Sequence, residues 1–415
     1  MTTHGFRTFS PALRRFFLAT VVNMVGSAAL FGFVLIYFHE VRGIPLGRAG
    51  LAVGAMSFTM VLLTPVCGWL SDRVGARRTL AAGCVVSIAA GCLYAFVTSF
   101  PAAVAVSMLL GVGNALWFPS QQALLALIVT PEERPAVSAW ARASLNLGAA
   151  LGGVIGGFLV HANTLGAFRW LFAVNVATYV LFLAVLPGMP TGRVLPVALE
   201  ERRPCGREQS AARVNGFRRV LGDEFFVRLL GTDIAIGLGF GFLFSFMPAY
   251  ASSLGIDKTT IGVLFTFGAA SVVLTQIPTL RWVRGRPRMA SLALMNLWFV
   301  AAFALMVTTA HVTVAVAIVA IAVAQVLGGF GEAVLGAVRQ PLTSDLAPPE
   351  LVGRYFGLMT MVFQGCMGLA NTIGGVVLQH SETAVWVIPL TASLLGVAGS
   401  LALRQRIPAN VAISP

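Results

Sequence analysis

The apolar residues of this chain come in long blocks, and short polar turns separate one block from the next. Each block holds roughly the 20 residues that an α-helix needs to cross a lipid bilayer. The pattern predicts twelve membrane-spanning helices, so we expect an all-α integral membrane protein. The predicted spans lie near residues 16–38, 49–70, 79–99, 102–129, 137–160, 168–187, 225–250, 261–280, 289–309, 313–338, 355–378 and 384–403.

The longest polar segment divides these spans into two groups of six. Residues 190–224 contain seven arginines, five acidic residues, several prolines and glycines, and no hydrophobic period. This composition is typical of a flexible linker. We therefore predict an N-terminal six-helix bundle (1–189), a cytoplasmic linker (190–224) and a C-terminal six-helix bundle (225–415).

The two groups of spans resemble each other in sequence. Residues 110–122 and 327–340 share a spacing of glycines, and the similarity continues in the following span. In one register Gly111 meets Gly329, Gly113 meets Gly331, Gln122 meets Gln340, and Gly156-Gly157 meets Gly374-Gly375. An internal repeat of six spans is typical of transporters built from two related halves. We expect the two bundles to be pseudo-symmetric.

The charged residues set the predicted orientation. Only 10% of residues are charged, whereas a soluble globular protein has roughly 25%. The net charge of +13 could indicate a nucleic-acid partner, but its distribution argues against one. With the N-terminus in the cytoplasm, the basic residues on the outer side are Arg42, Arg48, Arg169 and Lys258. This asymmetry predicts an inner cell-membrane protein with both termini cytoplasmic, next to anionic inner-leaflet lipid.

The cysteines and short motifs give no sign of catalysis. Four of the five cysteines lie in or beside apolar spans, without the spacing of a disulfide framework or a metal site. The chain contains no nucleotide-binding loop or catalytic triad. We therefore expect no enzyme activity, no cofactor and no metal, and we expect a monomer.

A charged turn, GWLSDRVGARR at residues 68–78, lies between the second and third spans. It resembles the signature loop of the major facilitator superfamily, although Ala76 departs from the pattern. The residues in the family's positions are Gly68, Asp72, Arg73, Gly75, Arg77 and Arg78. The resemblance extends to the span number, the linker and the repeat, and it implies a loop that latches the cytoplasmic side in one conformation. The alternative is a basic loop that only sets topology.

A row of glycines in the fifth span resembles the antiporter motif of exporters in this superfamily. Its residues are Gly148, Gly152, Gly156 and Gly157, and Gly153 stands where the motif has a proline. The resemblance implies the twelve-span drug:proton antiporter group. Small residues at this spacing let helices approach closely, which many other packed spans also use. The fourth span lacks the arginine that many proton-coupled exporters carry.

Two acidic residues, Asp233 and Glu332, lie well inside predicted spans. A charged side chain at the bilayer centre costs about 2.5–3.5 kcal/mol, so such residues usually serve a function. The repeat aligns Glu332 with Asn114 and places Asp233 near the position of Asn23. The family resemblance places these four helices around a central cavity. We predict that both acids couple transport to protons; the alternative is a static pair, with Arg339 nearby.

Aromatic residues crowd two of the same helices. Trp117 and Phe118 follow Asn114 in the fourth span, and Phe240 and Phe244 lie in the seventh. A cavity with aromatic walls and few charges suits hydrophobic neutral or cationic small molecules. Arg142, near the start of the fifth span, is interpreted as extending to the lipid headgroups; the alternative is a pair with an acid across the bundle.

These observations together predict a secondary active transporter. We expect it to export hydrophobic small molecules by proton-coupled alternating access. The first alternative is a proton-coupled importer of a nutrient or metabolite with the same fold. A second alternative, from another class of protein, is a membrane sensor that transports nothing.

Overall fold

The computed structural model describes residues 9–129, 134–189, 218–348, 351–408 and 411–414. In these residues the backbone forms twelve long helices and one isolated β-bridge, between Pro287 and Ile413. The helices are α1 (Pro11–Ile36), α2 (Leu46–Val74), α3 (Ala76–Tyr94), α4 (Phe100–Ile128), α5 (Arg134–Leu159), α6 (Leu165–Val185), α7 (Glu224–Ser253), α8 (Lys258–Val283), α9 (Arg288–Thr308), α10 (Val314–Leu346), α11 (Val352–Leu378) and α12 (Ala384–Arg404). A π-helical turn, Tyr37–Val41, extends α1, and another, Gly241–Phe246, lies within α7.

Among the described residues, eleven helices are long and apolar enough to cross a membrane. The remaining one, α5, carries Arg142 and Asn146 among its glycines and alanines, which lowers its mean hydropathy. The predicted all-α membrane architecture is confirmed.

Polar residues mark the ends of several helices. Ser10, Asp223 and Asp257 accept hydrogen bonds from backbone N–H groups in the first turns of α1, α7 and α8, at 3.3, 3.0 and 2.9 Å. Such caps satisfy donors that would otherwise have no intrahelical partner. Gly75, with φ of +100°, separates α2 from α3 in a conformation that favours glycine. Short polar turns therefore start and stop the helices that the apolar blocks form.

The helices pack as two bundles of six. In the first bundle α1 contacts α5 and α6, and α4 contacts α2 and α3. In the second bundle α7 contacts α11 and α12, and α10 contacts α8 and α9. The domain boundaries at 189 and 225 stay a prediction, because residues 190–217 lie outside the described part of the chain.

The glycines of the internal repeat make equivalent contacts in the two bundles. A Cβ atom added to Gly111 of α4 would lie 2.5 Å from a backbone oxygen of α2, and one on Gly329 of α10 would lie 2.7 Å from a backbone oxygen of α8. One added to Gly113 would meet α3, and one added to Gly331 would meet α9. The repeated glycines thus let α4 and α10 pack against two neighbours each.

The two ends of the bundle differ in charge. We call the end where α1 begins and α12 ends the basic face, and the other end the opposite face. In the described residues, the basic side chains at the opposite face are Arg42, Arg48, Arg169 and Lys258. The sequence predicts that the basic face is cytoplasmic.

Helix α5 uses its glycines on two sides. Gly148, Gly152 and Gly156 face α1 of the same bundle, and a Cβ on Gly152 would lie 2.6 Å from the Val25 carbonyl oxygen. Gly157, together with Gly153, instead faces α8 of the second bundle. The four glycines of the predicted motif therefore serve two different contacts, one within a bundle and one between bundles.

Two glycine crossings join the bundles, and both lie towards the opposite face. Gly157 of α5 faces Gly262 of α8, and its added Cβ would lie 3.0 Å from the Gly262 Cα. Gly50 of α2 faces Gly375 of α11, with a corresponding distance of 3.3 Å. A third helix contact between the bundles joins α1 to the opposite-face end of α7. The structure is therefore a conformation that is closed at the opposite face.

Leucine substitutions should separate the two roles of α5. Gly152→Leu should lower the stability of the purified protein by about 1–3 kcal/mol, since it overpacks the contact with α1. Gly157→Leu should leave the first bundle folded but hold α5 away from α8. Cysteines introduced at the opposite face should then react faster with a thiol reagent. Thermal melting and cysteine labelling check these two outcomes.

Gly365→Leu is the matched control, because a Cβ at Gly365 meets nothing within 4 Å. An unchanged melting temperature for Gly152→Leu would contradict the close packing of α5 on α1.

Candidate functional site

A cavity of about 300 Å³ lies between the two bundles. Its wall comes mainly from α1, α2, α4, α5 and α6 of the first bundle. Phe265 of α8 and Gln364 and Met367 of α11 complete it from the second bundle. The two glycine crossings lie between this cavity and the opposite face, so they seal it on that side.

Amide side chains form much of the polar part of the wall. They are Asn23 of α1, Asn114 of α4, Asn175 of α6 and Gln364 of α11. Gln364 Nε2 lies 3.2 Å from Met60 Sδ, across the boundary between bundles. Asn23 Nδ2 and Asn175 Oδ1 are buried and have no hydrogen-bond partner among the described residues. An unsatisfied buried polar group costs free energy. A bound molecule that forms hydrogen bonds with these amides would remove that cost, which favours binding.

Thioethers and aromatic rings form the rest. The rings of Trp117 and Phe118 meet edge to face at 4.9 Å, and Trp117 Nε1 is another buried donor without a described partner. None of the lining residues is charged. The lining methionines are Met24, Met56, Met60 and Met367. Methionine adapts its shape to different apolar ligands, so the wall suits varied hydrophobic molecules.

Four of the six cavity residues expected from the sequence lie in this wall: Asn23, Asn114, Trp117 and Phe118. The structure places Phe240 and Phe244 elsewhere. Phe240 packs against Phe299 of α9 and Phe363 of α11, each at 5.4 Å between ring centroids, and Phe244 lies 5.2 Å from Phe240. The rotation of α7 turns these rings into the interior of the second bundle, which the spacing of the residues could not reveal.

Asp233 and Arg339 form a buried ion pair within the second bundle. Asp233 lies on α7 and Arg339 on α10, and they are only 1% and 5% exposed. Asp233 Oδ1 has no hydrogen-bond partner among the described residues. Neither side chain lines the central cavity. Removing one partner of such a pair leaves an uncompensated buried charge, which typically costs about 3–5 kcal/mol.

Glu332 of α10 is half-buried and lies near a basic side chain of the other bundle, without a salt bridge to it in the described residues. Its carboxylate interacts electrostatically with Arg142 of α5. Arg142 Nη2 also donates a hydrogen bond to Gln340 Oε1 at 3.0 Å. Gly336 leaves room for the guanidinium, since an added Cβ would lie 2.9 Å from Arg142 Nη1. The expectation that Arg142 extends to the lipid headgroups is therefore wrong, because the side chain crosses to the second bundle.

A second polar link between the bundles lies at the opposite face. Glu40, at the end of α1, forms a salt bridge with Lys258 at the start of α8, with distances of 2.8 and 2.9 Å from Nζ to the carboxylate oxygens. Ser252 of α7 contacts both side chains, and Asn163 donates a hydrogen bond to Glu40 at 2.6 Å. Lys258 is only 8% exposed. We call these four residues the Glu40 cluster.

The family follows from comparison with known proteins. A sequence model of the protein family described as "Major Facilitator Superfamily" matches residues 16–321 and 229–415 of this chain. The chain belongs to the major facilitator superfamily.

Individual proteins of this superfamily are similar over nearly the whole chain. "Uncharacterized MFS-type transporter YttB" of Bacillus subtilis (strain 168) is 23% identical over 407 residues, covering 95% of this chain and 96% of that protein. "Multidrug resistance protein MdtH" of Aeromonas salmonicida (strain A449) is 23% identical over 405 residues and covers 94% of each chain. A solved structure of a D-xylose-proton symporter superposes with a TM-score of 0.75 at 14% identity, covering 97% of this chain and 99% of that one. These likenesses agree with a small-molecule transporter of the superfamily.

The superfamily's signature loop joins α2 to α3. The Arg73 guanidinium lies 5.4 Å from the centroid of the Trp69 ring, and Arg77 Nη1 donates to the Met189 carbonyl oxygen at 3.2 Å. The first contact lies within the loop, and the second attaches it to the segment that follows α6.

Other residues of the loop keep the status of predictions. A Cβ on Gly68 would meet nothing within 4 Å, so this glycine makes no close helix contact in this conformation. The side chain of Asp72 lies outside the described residues. Its gating role, and that of Arg78, are therefore predictions.

Several residues of the site were not predicted from the sequence. Asn175 and Gln364 are polar residues inside apolar spans, a signal that could have indicated them. Lys258 is the single lysine of the chain, and Glu40 was visible as an acid at the outer end of the first span. Their pairing could not be predicted, because 218 positions separate them in the sequence.

The Glu40 cluster should stabilise the conformation that is closed at the opposite face. Lys258→Met leaves the Glu40 carboxylate without its cation, so the population open at that face should rise about tenfold, which corresponds to ~1.4 kcal/mol. Distance measurements between spin labels on the opposite-face ends of α2 and α11 would report the shift.

Lys258→Arg is the control, since it keeps the charge and should keep most of the closed population. An unchanged distance distribution in Lys258→Met would mean that the glycine crossings alone hold this face closed.

Proposed function

We propose that this superfamily member exports hydrophobic, uncharged small molecules by proton-coupled alternating access. The observation that carries the proposal is the central cavity, with its methionine and aromatic wall, its unpaired amides and no charged lining residue. A solute that buries apolar surface there and pairs with Asn23 and Asn175 gains from both contacts.

The arrangement of charges favours neutral substrates over cationic ones. The sequence suggested both, because two acids were expected near the cavity. Asp233 is instead paired with Arg339, and neither Asp233 nor Glu332 lines the cavity, so a cation there would find no carboxylate in its wall. Transfer of an ion from water into a site without a counter-charge costs free energy.

Matched ligands test this selectivity. Binding to the purified protein is measured for a neutral aromatic amide and for its quaternary ammonium analogue of similar size. The neutral compound should bind at least tenfold more tightly. Equal or tighter binding of the cation would contradict the proposed substrate class.

Export is the direction that the names of several relatives suggest. MdtH carries the name of a multidrug resistance protein, and so does "Multidrug resistance protein 1" of Bacillus subtilis (strain 168), which is 26% identical over 240 residues. Import is the second candidate, since a proton symporter shares the fold. Cells that express the protein decide between them: an uncoupler raises the accumulation of an exported substrate and lowers that of an imported one.

Coupling is proposed to act through Glu332 and Arg142. In the conformation closed at the opposite face, Arg142 reaches the second bundle on the basic-face side of the cavity. Protonation of Glu332 removes the charge that attracts Arg142, so the two bundles can move relative to each other. The pair of Asp233 on α7 and Arg339 on α10 is the second candidate for the proton site.

The energy of one proton is sufficient for concentrative transport. A proton that moves down about 150 mV releases about 3.5 kcal/mol. Since 1.36 kcal/mol corresponds to a factor of ten, this supports a gradient on the order of several hundred-fold.

The proposed membrane location and orientation follow from the distribution of charge. The proposed location is the inner cell membrane, with the basic face and both termini in the cytoplasm, because basic residues are retained on that side. The proposed working unit is a monomer, since each chain carries its own cavity between two bundles.

Glu332→Gln should abolish concentrative transport while the protein still folds and binds substrate. Glutamine keeps the size and hydrogen bonding of the protonated acid but cannot release a proton. Reconstituted vesicles should therefore exchange substrate between equal pools but build no gradient when a pH difference is imposed. Glu382→Gln, an exposed site at the opposite face, is the matched control and should transport normally.

A full, uncoupler-sensitive gradient in Glu332→Gln would move the proton site elsewhere, with Asp233→Asn as the next test. Loss of folding would instead assign Glu332 a structural role.

A further inference from the structure

A groove of about 380 Å³ lies between α8, α9 and α10 and shares no residue with the central cavity. Trp282 of α8, Trp298 of α9 and Phe330 of α10 form its aromatic walls, and the rings of Trp298 and Phe330 are 5.9 Å apart. No lining residue is charged. The groove is therefore suited to an apolar chain.

The groove has the depth of one membrane leaflet. Trp282 is the next-to-last residue of α8 at the basic face, whereas Trp298 lies ten residues after the start of α9. At ~1.5 Å per helical residue this is ~15 Å, half of a hydrocarbon core of ~30 Å. Beside the groove, Leu274 and Ile277 of α8 are 74% and 61% exposed, as expected of a surface that faces lipid.

Arginines surround the basic-face end of the groove. The Arg286 guanidinium lies over the Trp282 ring, 4.4 Å from its centroid, and Arg281 and Arg284 are exposed beside it. In the described residues, no acidic side chain forms a salt bridge with any of these three arginines. The nearby Asp345 is already paired with Arg288 at 2.6 Å. Within the described part of the chain, an uncompensated positive charge therefore lies at the mouth of an apolar groove.

The C-terminal segment holds these arginines in place. Ser414 N donates to the Arg286 carbonyl oxygen at 3.0 Å, and Gly285 N donates to the Ser414 carbonyl oxygen at 2.9 Å. Arg288 N donates to the Ala412 carbonyl oxygen at 2.9 Å. The backbone of the loop is thus fixed before any ligand binds, which reduces the entropy that binding would cost.

We infer that this groove binds one anionic phospholipid from the leaflet at the basic face. Its phosphate lies against the guanidinium groups of Arg284 and Arg286, and one acyl chain occupies the groove beside Trp298 and Phe330. Arginine forks match phosphate oxygens, and basic pockets between membrane helices bind anionic headgroups. The loop between α8 and α9, the counterpart of the charged turn between α2 and α3, has arginines but no acidic residue within 278–288, which suits a site for an anion.

Native mass spectrometry of the full-length, detergent-purified protein tests the site. The added probes are phosphatidylglycerol and phosphatidylcholine with the same acyl chains. The wild-type protein should retain one phosphatidylglycerol with at least tenfold higher affinity than phosphatidylcholine. Arg284→Gln combined with Arg286→Gln should lose that preference, although the backbone bonds to Ser414 remain.

A second variant and a charge-matched control separate the site from general attraction. Thr275→Phe fills the groove, keeps every arginine and should weaken phosphatidylglycerol binding at least tenfold. Arg404→Gln combined with Arg406→Gln removes the same charge at the basic face and should leave binding unchanged. Unchanged phosphatidylglycerol binding in the Arg284/Arg286 variant, or an equal loss in the Arg404/Arg406 control, would overturn the inference. Glycerol 3-phosphate binding as tightly as the lipid would also overturn it, because the groove would then contribute nothing.

Discussion

The arrangement of this protein depends on two places where no side chain separates its bundles. The repeat supplies both: Gly157 and Gly375 occupy equivalent positions, and each faces a glycine of the other bundle. The residues just before them, Gly156 and Gly374, face helices of their own bundle. A pair of adjacent glycines in each half therefore holds a bundle together and joins it to its counterpart. Backbone contact at these crossings seals the cavity on one side, and the Glu40 cluster lies beyond that seal.

The two bundles divide the polar chemistry between them. The first bundle supplies most of the cavity wall, and its polar groups there are neutral amides, hydroxyls and an indole. The second bundle holds Asp233, Arg339 and Glu332 away from that wall. In the proposed mechanism solute recognition and proton handling are therefore separate in space, and Arg142 links the first bundle to the second. Such a separation explains how a cavity without charge can belong to a transporter proposed to run on protons.

Much of the fold could be predicted because the bilayer constrains it strongly. The apolar blocks, the repeated glycines and the polar turns all follow from local pattern. The residues of the candidate site were harder to predict, since their positions depend on how each helix is rotated about its axis. Phe240 and Trp117 look equally suitable in sequence, yet one ring packs inside the second bundle and the other lines the cavity. The pairing of Asp233 with Arg339, and the reach of Arg142 to Gln340, join residues from distant helices and leave no local pattern.

The position of Lys258 has a practical consequence for chemistry on this protein. As the single lysine of the chain, it is the only side-chain primary amine, and the Glu40 carboxylate covers it in the closed conformation. An amine enclosed in this cluster is shielded from acylating reagents, whereas one released to water is accessible to them. The rate at which Lys258 of the native, unmodified chain is acylated should therefore report how often the opposite face opens.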